Sequence, residues 1–325
     1  MDRDQKHSVA LSVVTPVYQA QACIEEFHRR MTQAASAITP DYEIIFVNDG
    51  STDQSLEKLV ALHAKDPHVM IIDLSRNFGQ PNAIRTGLNY AQGEYVFAID
   101  DDLEEQPEWL PRFYQMQAQN GAEVVFSVQH RRRGGWIDRI GGALFFFFMR
   151  KILHAESIPN VMTARLMTQS HVRALRQYKE HNASLTILSR IAGCNHAILP
   201  LEKASHIHSS YSLYKRWRLM ITHITSASSR PLIWPLMLAG TWIAACSAFF
   251  VAKALVSGAT ASPGPIFFDR EEVFLTMTGI GFILACLAIL GLYLSEMFDD
   301  VRQRPLTIIR KIYATQTNKQ LPVGE

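Results

Sequence analysis

An apolar run, Tyr95-Val-Phe-Ala-Ile99, ends directly in Asp100, Asp101 and Asp102. Such a run reads as a buried strand, so three carboxylates fall at the rim of a sheet. Packed that closely, they oppose one another's ionisation. A divalent cation removes the conflict, because hard oxygen ligands suit Mg²⁺ or Mn²⁺ and Mg²⁺ commonly bridges carboxylates to substrate phosphates. An isolated Asp-Asp-Asp is more often a solvated acidic turn, so the surrounding sequence decides.

Residues 10–130 alternate strand-like runs with amphipathic helical stretches. Strands are expected at Ala10–Thr15, Tyr42–Val47, Val69–Asp73 and Glu94–Ile99, with a helix over 21–36. That alternation predicts an α/β fold with a mainly parallel sheet. Ligands of such sheets sit beyond the carboxyl ends of the strands. Pro16-Val17-Tyr18, Asn48-Asp49-Gly50 and Asp100–Asp102 all lie there, which argues for one site.

Formal charge is +2, so no overall field points to nucleic acid. Four widely spaced cysteines without a C-x-x-C pair indicate neither a zinc site nor a disulfide framework. The polar segment Met1–His7 lacks the apolar core of a signal peptide, so the first domain is expected in the cytosol.

Two apolar stretches, Leu232–Val256 and Val273–Phe298, exceed the roughly 20 residues needed to cross a bilayer. Lys215, Arg216, Arg218 and Arg230 precede the first; Arg302, Arg304, Arg310 and Lys311 follow the second. The loop between them has Arg270 as its only basic residue, and the positive-inside rule then places both termini in the cytoplasm. Aromatics beside cations in Phe145–Lys151 and in 211–222 suit a membrane interface.

Asp49-Gly50-Ser51-Thr52-Asp53 follows a strand, where an acidic side chain can accept hydrogen bonds from a nucleobase or ribose. Plain turn chemistry explains Asp-Gly equally well. In Ser75-Arg-Asn-Phe-Gly-Gln80, Arg76 can face a diphosphate and Gly79 permits close backbone approach. A capped helix start is the ordinary alternative.

In this order, Val14-Thr-Pro-Val-Tyr18, Asn48–Asp53, Ser75–Gly79 and Ile99-Asp-Asp-Asp-Leu-Glu-Glu-Gln-Pro-Glu108 resemble family 2 glycosyltransferases of the GT-A (Rossmann-like) fold. Ser209-Ser-Tyr-Ser212, the basic stretch to Arg230-Pro-Leu232, and Gly291–Pro305 narrow the resemblance to polyprenyl-phosphate glycosyltransferases. That group includes bactoprenol glucosyltransferases, aminoarabinose-type undecaprenyl-phosphate transferases and dolichol-phosphate mannose synthases. The resemblance implies Mg²⁺ or Mn²⁺ on Asp100 and Asp102, with Arg165 also in the catalytic set. It implies nucleotide-sugar contacts from Pro16, Tyr18, Asp49, Arg76, Gly79 and Asp101, and acceptor-phosphate contacts from Lys203, Ser209, Lys215 and Arg216. The expected layout is a cytosolic GT-A domain (1–208), amphipathic juxtamembrane helices (209–231), two transmembrane helices (232–256 and 273–298) around an extracytoplasmic loop (257–272), and a cytosolic tail (299–325). Expected partners are a nucleotide sugar, a polyprenyl phosphate and a bacterial inner membrane; membrane helices also commonly associate, so a homo-oligomer belongs among them.

Three departures stand out. Thr163 and Ala164 occupy places where relatives carry an acidic residue before aromatic-Arg-Leu; Ala204 and Ile207 replace an Arg and a Gly; Leu292 replaces a common Glu. Two other readings stay open at this stage. A glycan synthase with a different acceptor is disfavoured because Leu213 replaces the Gln of Q-x-x-R-W. A catalytically degenerate membrane adaptor is motivated by Thr163.

Overall fold

A computed structural model of the chain describes residues 9–129, 158, 160–178, 180, 184–203, 233–258, 270–302 and 304–315. Ser209, Lys215, Arg216 and Arg230, the aromatic-basic stretch 140–153 and the interfacial segment 211–222 lie outside the described residues.

Eight strands form one sheet: β1 (Leu11–Val17), β2 (Tyr42–Asn48), β3 (Val69–Leu74), β4 (Tyr95–Ala98), β5 (Val124–Gln129), β6 (Val161–Thr168), β7 (His196–Leu201) and β8 (Ile309–Tyr313). Their spatial order is β7-β5-β6-β4-β1-β2-β3-β8. The four strands expected from sequence all form. β4, β1, β2 and β3 run parallel, while β6 and β8 enter antiparallel against β4 and β3.

The helices are α1 (Ile24–Ser36), α2 (Ser55–His63), α3 (Gln80–Tyr90), α4 (Leu110–Asn120), α5 (Gln169–Arg176), α6 (Leu185–Ile191), α7 (Ile233–Gly258) and α8 (Arg270–Val301). In α1 the buried Ile24, Phe27, Met31, Ala34 and Ala35 recur at helical spacing. Side chains alternate across each strand, so neighbours enter opposite layers. Val13, Ile44 and Phe97 join Phe27 and Phe113 in one core; Val14, Ile45 and Ala98 join Ile84 and Leu88 in the other. Each fully buried side chain of this size contributes about 1.5–3 kcal/mol. The rings of Phe97 and Phe113 also meet edge-on at 5.1 Å.

The C-terminal region departs most from expectation. Ile309–Tyr313, read as part of a cytosolic tail, pairs with β3 at the edge of the catalytic sheet. Asp73 opposes Lys311 and Leu74 opposes Ile309, leaving Arg310 as the extra residue of a β-bulge. The bulge places Ile309 and Ile312 together against the second core. It thereby breaks the simple alternation by which a strand is read.

Among the described residues one helical segment, Val273–Ser295 of α8, is long and apolar enough to cross a membrane, and none of it is buried in the protein. The apolar run identified within α7 is shorter, Met237–Phe249. The two helices pack together: a Cβ added to Gly279 would lie 3.4 Å from Nε1 of Trp242.

Candidate active site

β1 to β4 present their carboxyl ends along one edge, which collects the loops that follow them. Val14 pairs with Ala98, so continuing the register by two brings Pro16 level with Asp100. Val17 pairs with Asn48, and Asn48 with Asp73. Pro16 is buried, whereas Tyr18 is 48% exposed.

Asp49 is buried, and its carboxylate accepts the N–H groups of Phe78 at 2.7 Å and Gly79 at 2.9 Å. Burial raises its pKa despite those bonds and the nearby Arg76. It therefore anchors the loop after β3. Gly50 completes the contact. Its φ is +64°, and a Cβ there would lie 2.3 Å from the Arg76 carbonyl carbon, so only glycine fits. Gly79 adopts φ +91° at the start of α3. Arg76 is exposed, its guanidinium 4.2 Å from the Phe78 ring centroid.

The acidic rim lies across the same edge. Gln80 Nε2 donates to Asp100 Oδ1 and lies 3.4 Å from Thr163 Oγ1. Asp102 is exposed and accepts the Glu104 N–H at 2.9 Å. Asp101 Oδ2 is buried without a hydrogen-bond partner. Its pKa is pushed up to about 8 by burial, then by Asp100 and Asp102. Asp100 is raised by burial and by Asp102, against the opposing effects of Thr163, Gln80 and Lys203. Leu103 turns the chain after these carboxylates with φ +61°. Such backbone strain in a bulky residue clusters at functional sites.

Glu105 is missing from the sequence-based site. It is fully buried, and its carboxylate accepts the N–H groups of Thr163 at 2.9 Å and Ala164 at 2.7 Å. Its pKa rises to about 7 through burial and Asp100, although Lys203 and both amides oppose the rise. Lys203 Nζ lies 3.3 Å from Glu104 Oε2 and 3.6 Å from Glu105 Oε1. Burial disfavours the Lys203 charge, but Glu105, Asp102 and Glu104 outweigh it and raise its pKa.

Arg165, expected in the catalytic set, sits behind the rim. It is 7% exposed, with Nε donating to Thr163 O, Nη2 to Met162 O and Nη1 to Thr186 Oγ1. Burial lowers its pKa to about 10. The guanidinium braces β6 beneath Thr163.

The donor set fits a divalent cation shared with a substrate. Among the described residues no group of three or more His, Cys, Asp or Glu is arranged to hold a metal by itself. Asp100 and Asp102 would supply hard oxygens to a cation whose other ligands came from substrate and solvent, as suits Mg²⁺.

The α/β sheet carries carboxylates and a glycine-bearing loop at its strand ends, where such sheets bind their ligands. The chain belongs to glycosyltransferase family 2: residues 12–179, about half its length, match the family described as Glycosyl transferase family 2. A Mycobacterium tuberculosis protein named among the glycosyltransferases is 34% identical over 96% of this chain and 91% of its own. YkcC of Bacillus subtilis, an uncharacterized glycosyltransferase, is 28% identical over 96% and 97%. Among solved structures, glucosyl-3-phosphoglycerate synthase from Mycobacterium tuberculosis, in complex with Mn²⁺, UDP and phosphoglyceric acid, shares the fold. Its TM-score is 0.51 at 18% identity, over 67% of this chain and 78% of that one. Family membership makes the protein a transferase enzyme.

Proposed function

We propose that the protein transfers a sugar from a nucleoside diphosphate sugar to a polyprenyl phosphate, undecaprenyl phosphate in a bacterial inner membrane, at the cytoplasmic face. The product would serve modification of cell-envelope glycans. The observation that carries this reading is the continuity of an exposed apolar helix with the catalytic sheet. Seven residues, 302–308, separate α8 from β8. A chain that short spans no more than roughly 30 Å, so a bilayer around α8 lies within reach of the site.

Sheet continuity also supports a hairpin. β8 shares a sheet with β1–β4, so the chain returns to the side of the membrane it left. A crossing by α8 then requires a second crossing, for which α7 and the apolar run Leu232–Val256 are suited. Both termini would be cytoplasmic. The proposed layout keeps the hairpin of the sequence reading but adds residues 309–313 to the catalytic domain. Tight packing of Gly279 against Trp242 is compatible with such a hairpin, and a homo-oligomer through its lipid-facing side remains part of the proposal.

In this mechanism Asp100 and Asp102 would hold Mg²⁺ or Mn²⁺, and the cation would supply neutralisation of charge on the departing nucleoside diphosphate. The Mn²⁺ and UDP of the synthase that shares the fold support that choice. Loop 75–79, anchored by Asp49, lies against the diphosphate, with Arg76 and Gly79 facing it. Pro16, Tyr18 and Asp101 complete the donor pocket. A lipid phosphate with a second pKa of about 6 is already an anionic nucleophile near neutral pH. Thr163 in place of an acidic residue therefore leaves the reaction intact, since the acceptor needs positioning more than deprotonation. Lys203 is the described cation closest to that task; Ser209, Lys215 and Arg216 are proposed beside it. Attack in line with the departing diphosphate inverts the anomeric centre.

The test is release of UDP or GDP from nucleotide sugars by purified protein. Release that needs both undecaprenyl phosphate and Mn²⁺ or Mg²⁺ is expected. Release indifferent to the lipid would refute the acceptor.

A further inference from the structure

The mechanism above leaves β8 without a chemical task, yet it is the segment that grips the loop after β3 from outside. Ser75 N donates to Ile308 O at 2.8 Å. Arg310, thrown out of register by the bulge, sends Nη2 to Ser75 O at 2.8 Å and Nη1 to Asp73 Oδ2 at 3.4 Å. Bulges commonly re-aim a side chain in this way next to active sites. Asp73 is buried at the end of β3, and its other oxygen accepts from Asn48 Nδ2 at 2.8 Å. Thr307 Oγ1 lies 2.7 Å from Thr86 Oγ1 on α3, so the lead-in to β8 touches the helix that ends this loop.

Loop 75–79 is thus held at both ends from two directions. Asp49 and Gly50 fix Arg76–Gly79 from β2, while Arg310 and Ile308 fix Ser75 from β8. The first grip comes from residues adjacent in the domain. The second comes from a strand that the chain reaches only after both long apolar helices. A surface arginine making one exposed ion pair would contribute little. Arg310 is itself 56% exposed, and its 3.4 Å contact with the buried Asp73 is of that kind. What it adds is the Nη2 donation to Ser75 O, which ties it to the loop backbone, and both contacts are lost together if the strand shifts.

We propose that Arg310 is a positioning residue for the donor loop, and that β8 makes nucleoside diphosphate affinity depend on the chain returning from the α7–α8 hairpin. This rests on the reading of loop 75–79 as the donor loop given above. In this proposal Arg310 acts through Ser75 and Asp73, the groups it contacts, and not through the substrate.

Binding of UDP and GDP to the full-length protein in detergent, by calorimetry, tests the idea with wild type and Arg310→Ala. The variant is expected to bind the preferred nucleotide about tenfold more weakly, the scale of one lost charge-assisted hydrogen bond. Faster hydrogen exchange at Phe78 and Gly79 should accompany that loss. A lowered melting temperature with wild-type affinity would show a merely structural contact and overturn the inference. Coupling is reciprocal, so a second measurement needs no variant. Saturating nucleotide should slow amide exchange across Ile309–Tyr313 in the wild type; unchanged exchange there, with slowed exchange at Phe78 and Gly79, would overturn it as well. Wild type that binds neither nucleotide would instead overturn the donor-site reading on which the inference stands.

Discussion

Glu105 Oε1 accepts the backbone N–H of Thr163 at 2.9 Å, joining the turn after the acidic rim to a strand 58 residues further along the chain. Its second oxygen takes the N–H of Ala164. One buried carboxylate therefore sets how far Thr163 stands from Asp100. A carboxyl whose pKa is about 7 folded and 4.5 ordinarily binds more protons in the folded state between those values. Its stabilising contribution is then fullest below about pH 4.5 and is lost as pH rises through about 7. Glu105→Gln should flatten that part of the melting-temperature profile, measured in EDTA. Asp101, raised in the same direction, leaves a residual slope. A profile that keeps its full slope would refute the buried-charge account.

Asp102→Asn should lower turnover at least about 100-fold, the scale expected when a metal loses a carboxylate in a charge-developing step. The fold should survive, because an amide oxygen can still accept the Glu104 N–H. Turnover and circular dichroism on the same preparation check both parts. Activity near wild type would remove the metal from Asp102.

Gly50→Ala forces a side chain into a left-handed conformation and onto the backbone of Arg76. Strain of this kind costs about 1–3 kcal/mol, before the loop moves aside. Urea denaturation should register that loss, and nucleotide affinity should fall with it. An unchanged denaturation midpoint would mean the two loops are not in contact.

The parallel core was legible because β1–β4 carry the plainest signals: four apolar runs, each followed by a polar turn. The position of Asp100, Asp102 and Asp49 at strand ends was legible for the same reason; that both Asp49 oxygens accept from the loop amides of Phe78 and Gly79 was not. Nor was Arg310. Its charge next to Lys311 reads as a membrane flank, and the bulge that turns it toward Asp73 hides the strand's alternation. Glu105 was hidden by its neighbours, as an acidic residue beside Glu104 in an acidic turn looks solvated. Its burial depends on β6, a partner distant in sequence. Arg165 shows the converse: the resemblance put it in the catalytic set, while its donors serve two carbonyls of its own strand and the Thr186 hydroxyl.

The hairpin predicts a defined labelling pattern. With the native cysteines replaced, Ser262→Cys should react with a membrane-impermeant maleimide in intact cells. Asn318→Cys should react only after permeabilisation. Labelling of both positions from the same side would break the paired-crossing argument.

The central claim is transfer to a lipid phosphate, and labelled sugar reports it directly. Purified protein would receive a panel of labelled nucleotide sugars with and without undecaprenyl phosphate, and with and without Mn²⁺ or Mg²⁺. The account predicts one sugar entering the organic-extractable phase, only when lipid and metal are both present. No lipid product from any donor, in folded protein that still binds nucleoside diphosphate, would contradict it.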